Sequence, residues 1–342
     1  MDFANRLIHW YLQNKRELPW RKTNDPYRIW LSEVMLQQTR VAQALPYYFS
    51  FTSNFQSIEE LAAADEEKIL KLWQGLGYYS RARNMHGTAK AIVSGYNAKF
   101  PDSYAGLLHL KGIGPYTAAA VASFSYNECV PVVDGNVYRV LSRYFGVETD
   151  IASSSARKEF TQLASELIPK DKPALFNQAI MEFGALQCVP KNPDCTKCPL
   201  NDSCIALQKN KVSALPVKSK KQKITERFFN YLVVNDSNHK TMLVKREGKG
   251  IWQNLYEFPL VETHKTAEPE AIYDAIKLPN PILSIRETNR KEVLHKLSHQ
   301  HLHVKFWDVE VEGNLENGIS AQEIHDFPVP VVLEKFIEER WK

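Results

Sequence analysis

A chain of 342 residues with 44% hydrophobic and 24% charged content has ordinary globular makeup and enough length for two cores. Its 43 Lys and Arg against 39 Asp and Glu leave +4, too little by itself to demand a nucleic-acid partner. No charged-then-apolar leader and no bilayer-length apolar run is seen, so nothing suggests export, a disulfide framework is the weaker reading of the cysteines, and a cytoplasmic protein is expected.

In chain order, the first informative stretch is Ile29-Trp30-Leu31-Ser32-Glu33-Val34-Met35-Leu36, an apolar run carrying one carboxylate that helical spacing sets beside Gln37. A carboxyl held against apolar groups is disfavoured in its charged form, the condition for a general acid near neutral pH. Apolar residues then recur at three and four from Phe55 to Trp73, and similar segments follow, so this half is predicted to be mainly α. Leu110-Lys111-Gly112-Ile113-Gly114-Pro115-Tyr116-Thr117 puts two glycines just before a good helical run. Gly112 and Gly114 allow a tight turn and close backbone approach, and the helix start offers free amides to a phosphate. A helix-hairpin-helix over about 105–124 is expected. Next, Val130 to Val133 reads as a strand-like segment delivering Asp134 to Gly135-Asn136, with Asp134 also a fitting N-cap for the helix that follows. Cys129, alone in this apolar stretch, is predicted to be a small buried hydrophobe.

Cys188, Cys195, Cys198 and Cys204 follow as Cys-x6-Cys-x2-Cys-x5-Cys, with Pro193 and Pro199 stiffening the turns. Four loop-spaced thiolates suit zinc or an iron-sulfur cluster; a single Cys-x2-Cys pair with longer outer spacings leans towards the cluster. Residues 209–223 then hold six lysines and no acid, a predicted exposed linker. Beyond it the pattern changes to β-rich runs at 227–234, 241–245 and 303–309, with helical stretches near 268–277 and at the end, so the second half is predicted to be α+β. His301, His303 and Lys305 alternate with Leu302, Val304 and Phe306, the pattern of a solvated strand face, with His299 at its loop end.

The order Leu18-Pro19-Trp20-Arg21, Leu31 to Thr39, Leu110 to Ala118, Val133 to Val137 and the four cysteines resembles the helix-hairpin-helix DNA glycosylase superfamily in its iron-sulfur branch, and within it the adenine DNA glycosylase family. The resemblance implies an all-α glycosylase domain over 1–208 with a 4Fe-4S cluster loop at 188–204, the linker, and a Nudix-like domain over 224–342. It implies release of adenine opposite 8-oxoguanine or G from double-stranded DNA by base flipping, by a protein acting as a monomer. Glu33 would be the acid and base on the adenine ring, Asp134 the stabiliser of the sugar cation, and Asn136 its positioning partner. Gln38 and Tyr78 resemble residues that enter the opened duplex, and Arg16, Trp20, Arg21 and Gln178 match pocket positions. Tyr116 stands where a related strand-cleaving family carries a Schiff-base lysine, so hydrolysis to an abasic site is expected. Gly250 to Pro259 resembles a Nudix segment, but no Arg-Glu-x-x-Glu-Glu cluster follows it. That domain is expected to bind rather than hydrolyse, through Ser298 and His299, with Leu297 where the family has Phe. The competing readings are an oxidised-pyrimidine glycosylase with lyase activity, against which Tyr116 stands, and a non-catalytic iron-sulfur DNA-binding protein, which needs neither Glu33 nor Asp134.

Overall fold

The computed structural model describes residues 2–219, 224–288 and 292–341. The chain forms two compact units, Met1–Ala63 with Asn84–Lys220, and Ala64–Arg83 with Lys221–Lys342. The second unit thus recruits a piece of the helical half that lies far from it in sequence, a grouping that the change of pattern at the lysine-rich stretch does not reveal.

The regular elements described in the first half are helices: α1 (Phe3–Asn14), a 3-10 turn (Pro19–Arg21), α2 (Pro26–Leu36), α3 (Val41–Asn54), α4 (Ile58–Ala63), α5 (Glu66–Leu72), α6 (Ser80–Tyr96), α7 (Tyr104–Leu108), α8 (Pro115–Tyr126), α9 (Gly135–Phe145), α10 (Ala156–Leu167), α11 (Pro173–Leu186) and α12 (Ile205–Gln208). The core of the first unit joins α1, α9, α10 and α11 through Phe3, Leu7, Tyr11, Val140, Leu141, Phe160, Phe176 and Phe183. α2 starts on Pro26 with the Asp25 carboxylate accepting from Tyr27 N, and is buried over Ile29 to Met35, which carries Glu33 into the interior. Between α8 and α9 there is no strand. The backbone from Val130 to Val133 is extended and pairs with a side chain: Asn177 Oδ1 accepts from Val132 N at 3.1 Å, and Asn177 Nδ2 donates to Val130 O at 2.9 Å. One amide on α11 thereby does the work of a neighbouring strand. Cys129 is exposed, contrary to expectation, because the pinned segment turns Val132 inward and Cys129 outward.

Residues 209–219 are no free tether. Lys211 pairs with Glu148, Arg143 Nε donates to Leu215 O at 3.0 Å, and Ile151 N donates to Val217 O at 3.0 Å. Lys220, Lys221 and Lys223 of the predicted linker lie outside the described residues.

The second unit is built on a five-stranded sheet. Its strands are β1 (Thr225–Asn235), β4 (Leu260–Thr263), β5 (Ile282–Glu287), β6 (Val293–Lys296) and β7 (Gln300–Val311); β2 (Val244–Lys245) and β3 (Tyr256–Glu257) form a separate pair. β1 runs parallel to β7 and antiparallel to β4, while β5 and β6 share the other edge of β7. Of the run expected at 241–245, only Val244–Lys245 forms a strand, with Thr241 bridged to Ile319. Helices α13 (Pro269–Ala275) and α14 (Val331–Arg340) complete the unit, with Phe336 of α14 stacked on Phe306 at 3.8 Å. The parallel register sets Glu226 against His301 and Phe228 against His303. The histidine face is therefore paired rather than simply solvated: His301 Nδ1 meets Glu226 at 3.0 Å, His303 Nε2 meets Glu226 at 2.8 Å and its ring stacks on Phe228, and His303 Nδ1 also meets Glu292.

The segment Ala64–Arg83 is tied into this unit by side-chain bonds. Glu67 accepts from Lys245 Nζ and Tyr256 OH, both at 2.8 Å, and Glu66 accepts from Asn254 Nδ2 at 2.6 Å. Gln74 accepts from Val329 N at 2.9 Å and donates to Glu334 at 2.7 Å. Lys71 Nζ donates to the carbonyls of His325 and Phe327.

Candidate active site

Glu33 is 4% exposed. Its Oε2 accepts from the Tyr116 hydroxyl at 2.6 Å. Gln37, four residues on, shares a groove with Glu33; it caps the end of α2, and its Nε2 donates to Thr117 Oγ1 at 3.4 Å. Burial raises the Glu33 carboxyl, and the Asp134 charge adds to that; the Tyr116 hydrogen bond and Arg21 pull it back only partly, leaving it at about 7. Burial and the neighbouring Glu33 charge push Tyr116 well above its ordinary value, so it stays a phenol and a donor.

Asp134 is the N-cap of α9. Oδ1 accepts from Asn136 N and Val137 N, each at 2.8 Å, and Oδ2 accepts from Asn136 Nδ2 at 2.7 Å. Burial raises its carboxyl while these hydrogen bonds oppose the rise. The start of α9 supplies the amides that orient this carboxyl, as expected of an N-cap. Asn136 is held in turn: Arg139 Nη2 donates to its Oδ1 at 2.8 Å, and Arg139 Nε donates to Cys188 O at 2.7 Å. An unbroken chain of hydrogen bonds thus runs from Asp134 to the backbone of the first cysteine in the loop.

One cavity of about 570 Å³ is lined by Glu33, Tyr116, Asp134 and Asn136 together with Arg16, Trp20, Arg21 and Gln178, so the fold brings together all eight positions proposed for chemistry and for the pocket. Glu33, Tyr116 and Asp134 also line an adjoining groove of about 840 Å³, with Gln38 and Gly114 on its walls. Gln38 has φ of 56°, a left-handed turn directly after α2 and Gln37. In the hairpin the two glycines differ. Gly112 has φ of 94°, and a Cβ there would lie 2.7 Å from Thr88 Oγ1, which itself donates to Lys111 O. Gly114 has an ordinary backbone and open space where a Cβ would be. The first glycine makes the turn and the second leaves room at the groove.

Tyr78, Ser298 and His299 belong to the second unit. Tyr78 is exposed at φ of 49°, between Gly77 at 77° and an Arg81 guanidinium 5.4 Å from its ring. Ser298 and His299 are the exposed two-residue turn between β6 and β7, closed by Leu297 N donating to Gln300 O at 2.8 Å. Glu257, the buried acid of the Nudix-like segment, is occupied by Tyr231 OH and Arg246.

Cys188, Cys195, Cys198 and Cys204 line one cavity with Arg143, whose Nη1 lies 3.4 Å from Cys188 Sγ. Burial pushes the Cys198 thiol up to about 11, and the other thiols add to the rise. Among the described residues no three His, Cys, Asp or Glu are arranged to hold a single metal ion.

The pocket also contains a residue that sequence reading missed. Glu182 of α11 is buried and accepts from Arg16 N, Nε and Nη2 and from Arg21 Nη1 and Nη2, at 2.5–2.9 Å. Against the upward pull of burial, these bonds hold it at about 2. Its only sequence signal is its place four residues after Gln178 on the same helix face.

The family model of the HhH-GPD superfamily base excision DNA repair protein matches residues 31–169, and that of the NUDIX domain matches 230–339. An adenine DNA glycosylase of Buchnera aphidicola subsp. Schizaphis graminum is 35% identical over 98% of both chains, and one of Rattus norvegicus is 32% identical over 91% of this chain and 71% of its own. A solved thermostable thymine-DNA glycosylase is 29% identical with a TM-score of 0.57, covering 60% of this chain and 95% of its own. The helical pocket, the two domains and near full-length similarity agree: this chain belongs to the adenine DNA glycosylase family of the HhH-GPD superfamily.

Proposed function

We propose that this glycosylase hydrolyses the bond between adenine and deoxyribose in duplex DNA where adenine faces 8-oxoguanine or G, and leaves an abasic site. The observation that carries the proposal is a buried carboxyl near pH 7, hydrogen-bonded to a phenol, on the same cavity as an N-capped carboxylate. With the base extruded into the cavity, Glu33 delivers its proton to a ring nitrogen while the C1′–N bond breaks and the bonding electrons leave with the base. Asp134 faces the developing sugar cation; water then adds to C1′ and its proton returns to Glu33. Tyr116 holds the Glu33 carboxylate while it is charged, and its phenol offers no amine for a Schiff base.

Gly112 and Gly114 are proposed to seat a DNA phosphate, Gln38 and Tyr78 to occupy the opened duplex, and Ser298 with His299 to read the base opposite adenine. The four cysteines fit a 4Fe-4S cluster: four thiols lining one cavity, with the Arg143 guanidinium beside Cys188, suit a polynuclear anionic centre. Such a cluster would tie together the loop over 188–204, which the Arg139 chain links to Asn136. We place the protein in the cytoplasm as a monomer on DNA; among the described residues no helix is long and apolar enough to cross a membrane.

Duplexes carrying adenine opposite 8-oxoguanine or G, or a damaged pyrimidine, test the reading when base release is scored with and without alkali. Adenine release with strand breaks only after alkali is expected; breaks without alkali, or release of the damaged pyrimidine alone, would overturn it. Protein purified without oxygen should contain about four irons per chain. Stoichiometric zinc without iron would refute the cluster.

A further inference from the structure

The cavity that holds Glu33 and Asp134 has a wall made of charge. Arg16 follows α1 and Arg21 ends the 3-10 turn, so both ride on a connection with little regular structure of its own. Flexible guanidinium groups there would sample many poses. Glu182 removes that freedom: its carboxylate is fully enclosed while the Arg16 and Arg21 side chains retain 35% and 14% of their exposure. Both oxygens are engaged by both arginines, and Arg21 Nη1 further donates to Arg16 O at 3.1 Å. Tyr11 extends the array, 5.6 Å from the Arg21 guanidinium and donating to Gln178 Oε1 at 2.6 Å. Here one positive charge remains uncompensated on a wall facing the acid.

We propose that Glu182 is a positioning residue for base excision, which fixes where the Arg16 and Arg21 donors meet the extruded adenine and how much positive charge faces Glu33. The proposal rests on adenine release in the Glu33 cavity. Adenine presents only acceptors at its unprotonated ring nitrogens, and a guanidinium whose fork is clamped by Glu182 holds its remaining N–H groups in fixed places as donors for them. Misplacing such a contact by about 1 Å costs on the order of 10²-fold in rate.

The test compares the full-length wild type with Glu182→Gln and Arg21→Lys in single-turnover release of adenine opposite 8-oxoguanine, across pH. A parallel measurement follows binding to a duplex with an abasic-site analogue in place of the adenosine. Glu182→Gln is expected to slow release about 10²-fold with analogue binding kept, and to move the alkaline fall of the rate to lower pH, because two uncompensated guanidinium groups favour ionised Glu33. Arg21→Lys keeps the charge but not the fork, so it should slow release while leaving the pH profile in place. It also serves if Glu182→Gln does not fold. A Glu182→Gln protein with wild-type rate and pH profile would overturn the proposal, as would Arg21→Lys at full rate. Wild-type protein that releases no adenine would instead overturn the reading of the cavity itself.

Discussion

At Glu33 the proposed chemistry and the stability of the fold depend on the same proton. The carboxyl is raised from 4.5 to about 7 in the fold, so the protonated form that the proposed mechanism requires is present below that pH and disappears above it. Base release is expected to fall as pH rises through about 7, and Glu33→Gln to lose at least about 10²–10⁴-fold while still binding the mismatch. Near wild-type single-turnover release from that variant would remove Glu33 from the mechanism. The same shift acts on folding. Below 4.5 both folded and unfolded chains hold the proton; as pH climbs to about 7 the unfolded chain sheds it first, and the stability that Glu33 contributes is lost. On the order of 3 kcal/mol is at stake above pH 7. Glu33→Gln, which still accepts from Tyr116, should therefore melt with the wild type at pH 5 and above it at pH 8; equal melting at both would show that the carboxyl is not strained.

Among the elements, the hairpin between α7 and α8 separates two uses of glycine. Gly112→Ala meets both a left-handed backbone and Thr88 Oγ1, so it should destabilise the protein by about 1–3 kcal/mol in denaturant unfolding. Gly114→Ala meets neither and should unfold like the wild type. Its added methyl stands where a phosphate would approach the start of α8, and loss of one backbone contact should weaken duplex binding by about 1 kcal/mol, roughly fivefold. If Gly114→Ala binds duplex at full strength, the phosphate seat lies elsewhere. The turn between β6 and β7 offers a matched test, because both its residues are exposed. Ser298 and His299 replaced together by Ala should leave stability unchanged and erode the preference for 8-oxoguanine over G in competition binding.

For the whole molecule, the grouping of Ala64–Arg83 with the C-terminal residues changes what a truncation means. Removing residues from 224 onward spares the Glu33 cavity, so adenine release should persist. It also strips Glu66, Glu67, Lys71 and Gln74 of Asn254, Lys245, Tyr256, the carbonyls of residues 325 and 327, and Val329. Amides from 64 to 83, including those beside Tyr78, should then exchange with solvent at least about tenfold faster. Unchanged exchange there would mean that this segment holds its shape without the second unit. Loss of 8-oxoguanine preference on truncation would accordingly have two sources, the missing Ser298–His299 turn and a loosened Tyr78 loop, which the double alanine variant separates.

Much was legible in the chain because it is written in local terms. Periodicity marked the helical half and the β-rich half, glycine spacing marked the hairpin, an acid in an apolar helix marked Glu33, and four loop-spaced thiols marked the cysteine site. What stayed hidden depends on which distant groups the fold presses together. Tyr116 as the partner of Glu33, Asn177 standing in for a strand beside Val130 and Val132, and Cys129 turned outward all follow from packing across helices. Glu182 was invisible for the same reason: a glutamate in Ile180-Met181-Glu182-Phe183 gains its meaning only when α11 is laid against the turn that carries Arg16 and Arg21. Spacing along a chain reports which face a residue shares with its neighbours, whereas burial, partner and ionisation are set by what lies across the contact, and only the tertiary structure supplies that.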